Sequence, residues 1–219
     1  MPPITARDRG KEVMHTELQI TLSNTARDAN EWDNFLRSQP DSDLLQSGLW
    51  AQLKSTVDWG TLRLTFHRQG CIVGGAQILT RSLPLFGGSI GYVPRGPVLC
   101  SQEPEMVAFA VQALRDVARR HRLQMLIIQP PLGCDALVSS LMRSGFSPST
   151  TTVAPVATLR IDLSLDPETI LMQMKNSTRY NVRRSQREGI VVRHGDASDM
   201  QIFSQLHAAS STRQGFSTY

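Results

Sequence analysis

Apolar positions in the first part of the chain recur at helical spacing. In residues 25–38, Trp32, Phe35 and Leu36 fall on one side of a helix that Pro40 ends. Ser47 suits the N-cap of a second helix over 49–57, with Trp50 and Leu53 packed inward. The period then changes to two. Residues 61–67, Thr-Leu-Arg-Leu-Thr-Phe-His, alternate strictly, which predicts a half-buried strand. Arg68-Gln-Gly70 is a turn, and 71–83 reads as a long strand. Its Gly74-Gly75 pair predicts a bulge or a close backbone approach. After Pro84 and Gly87-Gly88, a third strand covers 89–93 and runs into Pro94-Arg-Gly-Pro97. Three strands at such short spacing imply an antiparallel meander.

Beyond the meander, helices and strands alternate. Residues 103–122 form an amphipathic helix with Val107, Val111, Leu114 and Ala118 inward. Glu103 and Glu105 stand at its positive end, and Arg119, Arg120 and Arg122 at its negative end. The apolar run 123–128 is expected to be a strand buried on both faces. Next come a helix over 135–143, a strand over 151–163, a helix over 166–189, a short strand over 190–193 and a helix from 198. This order implies an α/β chain with one mixed sheet covered by helices on both faces. The GNAT-type acyltransferase fold has the same order, an antiparallel meander followed by alternating helices and strands.

The helix over 166–189 carries the most distinctive chemistry. Asp166 is its expected N-cap, Pro167 suits the first turn, and Gly189 supplies the stop. Ile170, Leu171, Met174, Thr178 and Val182 mark the core-facing side. Lys175, Arg179 and Arg183 recur every four residues and stack along one face, widened by Arg184 and Arg187. Surface helices carry cations for solubility as a matter of course. Here acidic residues at i±4 are not expected to neutralise the stretch from Lys175 to Arg187, and Asn176, Tyr180 and Asn181 add hydrogen-bonding groups. Aligned cations on a rigid element suit a polyanion such as a nucleotide or lipid-carrier phosphate.

Composition narrows the class. Of 219 residues, 40% are hydrophobic and 19% charged, ordinary values for a globular protein with one substantial core or two small ones. The net charge of +4 does not by itself signal nucleic acid, but residues 166–189 hold five cations and three anions, half of that excess. Cys71, Cys100 and Cys134 are odd in number and far apart, so no disulfide framework or metal spacing is implied and a reducing compartment is expected. The histidines show no paired ligand spacing, and Ser177 and Thr178 belong to no visible nucleophilic triad. The start of the chain has no apolar signal-peptide core, and its apolar runs are too short to span a bilayer. Residues 1–16 are expected to be a disordered extension.

Four segments carry a resemblance. Gln46-Ser-Gly-Leu-Trp50-Ala-Gln-Leu-Lys54 with Asp58-Trp59 comes first, then Gly74-Gly-Ala-Gln-Ile-Leu-Thr-Arg81. Gly91-Tyr-Val-Pro-Arg-Gly-Pro97 and the basic stretch Lys175–Gly189, with Arg179-Tyr-Asn181 at its centre, complete the set. Together, in this order, they resemble the Fem-type peptidyltransferases. These transfer amino acids from aminoacyl-tRNA to the peptide stem of peptidoglycan precursors. The resemblance implies two GNAT-like domains, a first over 17–195 that holds the precursor and a second beginning at 196–219. It places Lys54 and Arg179 on a nucleotide or lipid pyrophosphate. Tyr92 would line the groove with Arg183 near it, and Arg95 and Lys175 complete the candidate substrate-binding set. Catalytic residues are unknown and expected in the second domain. No metal and no cofactor are implied. The partners are aminoacyl-tRNA as co-substrate and a nucleotide-linked (UDP-MurNAc-pentapeptide) or lipid-linked (lipid II) precursor. The location would be cytoplasmic, with peripheral contact at the inner membrane face.

The sequence departs from the family at two points. Asp58 stands where a Gly is usual before Trp59. Family members also continue well past a motif like Arg213-Gln-Gly-Phe216, so the chain looks truncated and is expected to be inactive alone. Two other functions compete. A CoA-dependent N-acyltransferase would need a glycine-rich pyrophosphate loop between a strand and a helix. The nearest spelling, Gln186-Arg-Glu-Gly189-Ile-Val191, lies in the wrong order. A non-catalytic module for phosphorylated precursors or tRNA is the other. Trp50 and Trp59 are expected in the core rather than at a ligand, given their amphipathic context.

Overall fold

The computed structural model describes residues 18–24, 26–40, 42–83, 87–149, 153–155, 159 and 161–216. Its contacts divide the chain into two compact units, Met1–Val156 and Ala157–Tyr219. The expected first domain ran on to residue 195; contacts instead group 157–195 with residues 196–219.

The first unit is built on a mixed sheet. Its strands are β1 (Gln19–Ser23), β2 (Gly60–Arg68), β3 (Cys71–Leu83), β4 (Gly88–Pro94), β5 (Val98–Leu99) and β6 (Leu123–Gln129). Their order is β1-β2-β3-β4-β6, with β5 on β3. β2, β3 and β4 form the expected antiparallel meander, whereas β6 runs parallel to β4 after the crossover helix α3 (Pro104–Arg120). Helices α1 (Ala26–Ser38), α2 (Gly48–Ser55) and α4 (Asp135–Arg143) complete the unit. One face of the sheet packs Leu64, Phe66, Ala76, Ile78 and Val93 against Val107, Ala110, Val111 and Leu114 of α3 and Leu137 of α4. On the other face Trp32, Phe35 and Leu36 of α1 pack with Val98. Mixed sheet, meander and two-sided helix cover agree with the α/β expectation.

The two glycines of β3 do what their spacing suggested. Register slips beside Gly74, between Phe66 and His67 of the partner strand. A Cβ on Gly75 would lie 2.3 Å from the Leu64 carbonyl oxygen and 2.9 Å from the Trp32 ring. Only a residue without a side chain lets α1 sit this close to the sheet.

Several expectations need correction. β2 is not half-buried: Arg63, Leu64, Thr65 and Phe66 are consecutive buried residues, because helices cover both faces at its centre. β6 is not buried on both faces; Gln124 and Met125 are exposed, since among the described residues no strand pairs its outer edge. Of the strand expected over 151–163, residues 153–155, 159 and 161–163 are not strand, and the rest lies outside the described residues. Residues 190–193 are not strand. Leu53 is 56% exposed rather than packed. The short strand β1 was not foreseen.

The second unit holds α5 (Pro167–Gln173), α6 (Asn176–Arg187) and α7 (Asp199–Gln214). The single helix expected over 166–189 is two, broken at Met174 and Lys175, both of which are extended. Asp166 caps α5 as expected, accepting from the Thr169 amide at 3.0 Å. None of the expected core-facing residues Ile170, Leu171, Met174, Thr178 and Val182 is buried. Among the described residues no helix is long and apolar enough to cross a membrane.

Candidate functional site

A cavity of about 250 Å³ opens in the first unit on the α2 side of the sheet. Its floor is the cross-strand pair Leu79 and Tyr92. Trp50 and Lys54 of α2, Trp59, Leu45, Pro94 and the segment Val153–Pro155 form the walls. Sequence reasoning put Trp50 and Trp59 in the core; both are only partly buried and line this cavity. The available signal was their position: Trp50 stands four residues before Lys54, on the same helical face.

The placement of α2 explains the wall. Ser47 caps it, accepting from the Trp50 amide at 3.2 Å, and the Asp33 carboxylate of α1 accepts from the Gly48 amide at 2.8 Å. The Lys54 ammonium lies 5.1 Å from the Trp50 ring centroid, within cation–π range. At the other end of α2 the Trp59 amide donates to the Lys54 carbonyl at 3.2 Å. Asp58 makes that turn with φ of 62°, a left-handed conformation that glycine adopts freely and Asp tolerates. Arg81 of β3 stands 5.7 Å from the Trp59 ring.

Behind the cavity lies a buried amide network. β3 and β4 cease to pair beyond Leu79 and Tyr92. The fully buried Gln46 side chain occupies the gap: it accepts from the Gln77 amide at 2.7 Å and donates to the carbonyls of Pro94 at 2.5 Å and Gln77 at 3.3 Å. In effect it is a rung of the sheet supplied by a side chain. The Gln46 carbonyl accepts the Trp32 indole N–H at 2.7 Å, and Gln77 donates to the Ser47 carbonyl at 2.8 Å. These bonds hold the chain entering α2 against the sheet.

Electrostatics in the cavity are mixed. The Tyr92 hydroxyl donates to Gln129 Oε1 at 2.8 Å. Burial pushes its phenol above the ordinary value, while the charge of Arg95 and the Ala154 backbone pull the other way. The Trp50 indole N–H is buried and has no acceptor among the described residues. Arg95 does not line the cavity. It is 6% exposed, has φ of 49°, and its guanidinium donates to the Pro155 carbonyl, so it braces the wall from behind.

The family profile described as "FemAB family" matches residues 27–144 and 144–218, nearly the whole described chain. The chain belongs to the FemAB family. It is 26% identical over 198 residues to the lipid II:glycine glycyltransferases of Staphylococcus aureus strain MRSA252 and strain USA300, covering 86% of this chain and 47% of each relative. The crystal structure of FemX superposes with a TM-score of 0.75 at 23% identity, over 91% of this chain and 52% of that one. The chain thus spans about half the length of the FemAB relatives it matches.

The other FemAB candidates lie in the second unit, whereas Lys54 and Tyr92 belong to the first. Lys175 is the extended residue preceding α6, not part of a continuous stripe. Arg179 donates to the carbonyls of Met172 at 3.0 Å and Met174 at 2.8 Å, and to Asn176. Its guanidinium therefore satisfies the last carbonyls of α5, where the helix breaks. Arg183 meets Glu168 at 3.4 Å, and Arg184 meets Glu188 at 2.7 Å, an i,i+4 pair that contradicts the expected lack of acidic partners. Arg179, Tyr180, Arg183 and Arg187 nevertheless line one open concavity along α6. Among the described residues no cluster of three or more His, Cys, Asp or Glu could hold a metal.

Proposed function

We propose that this chain binds the acceptor of a FemAB-type aminoacyltransferase of peptidoglycan synthesis. The observation that carries the reading is the cavity on α2 and β4, which sets a lysine, two tryptophans and a tyrosine around one space. Its relatives are named for transfer of glycine to lipid II, a precursor with both a pyrophosphate and a sugar–peptide part. In the cavity Lys54 is a mobile point charge for phosphate oxygen, and Tyr92 faces sugar or peptide polar groups. The donor is aminoacyl-tRNA and no other cofactor takes part. The precursor's amine attacks the ester carbonyl, the new amide forms, and the ribose hydroxyl of the tRNA leaves. The protein contributes chiefly positioning.

Transfer takes place in the cytoplasm, with the chain touching the inner membrane surface when the precursor is lipid-linked. Because the relatives are about twice as long, these 219 residues are expected to bind precursor without turnover. A CoA-dependent reading draws little support. The crossover helix α3 opens with Glu103, Pro104 and Glu105, two acids and a residue without an N–H, which is a poor cradle for a pyrophosphate. β4 and β6 stay paired through Pro94 and Gln129, so no gap opens between them at that end.

The test is calorimetric titration with a water-soluble, short-chain lipid II analogue. Lys54→Ala should weaken binding by about 1.5–3 kcal/mol, the range for a hydrogen bond to a charged group. Unchanged affinity in that variant would remove Lys54 from the site, and no binding by the unmodified chain would remove the function.

A further inference from the structure

Gln129 ends β6 and reads the segment Val153–Pro155 in both directions. Its Oε1 accepts from the Ala154 amide at 3.0 Å, and its Nε2 donates to the Ala154 carbonyl at 3.0 Å. A backbone N–H can only donate and a carbonyl can only accept, so these two bonds fix which way the Gln129 amide points. The Tyr92 hydroxyl lies 2.8 Å from the same Oε1 and must therefore be the donor in that bond. The tyrosine's one proton is committed. Toward the cavity its oxygen has lone pairs only.

We propose that Gln129 is a positioning residue that sets the specificity of the cavity. It holds Tyr92 as an acceptor and fixes residues 153–155 as a wall, with Arg95 bracing Pro155 beside it. The cavity then presents one acceptor at Tyr92, a cation at Lys54 and the Trp50 side chain. A ligand that satisfies both polar groups brings an N–H or O–H to Tyr92 and a carbonyl or phosphate oxygen to Lys54. A sugar hydroxyl or secondary amide close to a phosphate has this pairing. The inference rests on the cavity being the precursor site. Spacing along the chain offers no hint of it, because Gln129 is a polar residue closing an apolar run and its partner segment is distant in the chain.

Gln129→Leu separates this role from plain packing. Trp50 and Trp59 line the cavity while Trp32 is fully buried, so acrylamide quenching of tryptophan fluorescence reports on the wall in the ligand-free protein. Quenching should rise in Gln129→Leu. It should be intermediate in Gln129→Glu, which keeps the acceptor for Tyr92 and the Ala154 amide but loses the donor to its carbonyl. Affinity for the soluble lipid II analogue should fall about tenfold in Gln129→Leu, because Tyr92 and the wall at Ala154 are both released, a change equal to about one hydrogen bond to the ligand. Adding Tyr92→Phe to that variant should cost less than the same change in the parent, since the two groups act together. Wild-type quenching in Gln129→Leu would overturn the proposal, and so would strictly additive binding losses. Failure of the unmodified protein to bind the analogue would instead sink the precursor reading, and quenching would still decide the role of Gln129. Should Gln129→Leu not fold, Gln129→Glu carries the same comparison.

Discussion

Replacing Gln46 by Met tests whether a side chain really completes the sheet. Met is close in length and shape and has no hydrogen-bonding amide, so packing changes little. The polar loss is specific. The Gln77 amide, bonded at 2.7 Å, and the Pro94 carbonyl, bonded at 2.5 Å, lose their partner, and the weaker contact to the Gln77 carbonyl at 3.3 Å goes too. Gln46 is 0% exposed, so water does not replace these bonds without the strands parting. A buried group left unsatisfied costs roughly 1–3 kcal/mol, so two strong bonds and one weak one give about 3–5 kcal/mol. That is a large share of the stability of a typical domain, about 5–15 kcal/mol. Urea denaturation followed by circular dichroism measures it, and an unchanged m value would show that the loss lies in the native state. The same variant should loosen α2, because the Gln46 side chain ties the residues just before that helix to β3 and β4. A loss under about 1 kcal/mol would mean that the gap between β3 and β4 closes by itself, refuting the rung assignment.

Two further outcomes are expected of the site. Burial raises the Tyr92 phenol above its ordinary value of 10.0, so the folded state keeps its proton after the unfolded chain has lost it. Stability is fully present below pH 10.0 and falls as pH rises toward the folded-state value; Tyr92→Phe should flatten that decline in urea melts, and an equal decline in both proteins would contradict the burial argument. Acetyl-CoA should leave the melting temperature unchanged where the soluble lipid II analogue raises it, because α3 begins with acids and a proline; saturable stabilisation by acetyl-CoA alone would move the function to the CoA-dependent class.

Where period and punctuation agree, the elements are legible. Residues 71–83 and 135–143 are readable to the residue, since a Gly turn and a helix stop bound each one. Ser47 is legible as a cap for the same local reason. The division of 166–189 into two helices is not, because nothing in the Met174-Lys175 pair breaks a helix by propensity. The break is held instead by Arg179, folded back onto the carbonyls of Met172 and Met174. A cation counted toward a ligand face is thus partly engaged by the backbone, which no spacing rule reveals.

The cavity is legible only in part. Lys54 and Tyr92 are named from short motifs and both line it, whereas Trp50 and Trp59, expected in the core, line it as well and the amides behind it carry no spacing signal. Gln46, Gln77 and Gln129 sit where an apolar residue would satisfy the periodicity equally well. Each works on backbone groups distant in sequence: Gln46 on Pro94, Gln77 on Ser47, Gln129 on Ala154. A buried primary amide carries a donor pair and an acceptor at one end, so it can stand in for a missing strand residue without burying a charge. The cavity's floor and two of its walls depend on such substitutions. That explains why the opening motif starts at Gln46, well before Trp50 and Lys54. The first residue of the motif ties the sheet, and the helix it anchors carries two residues that line the cavity.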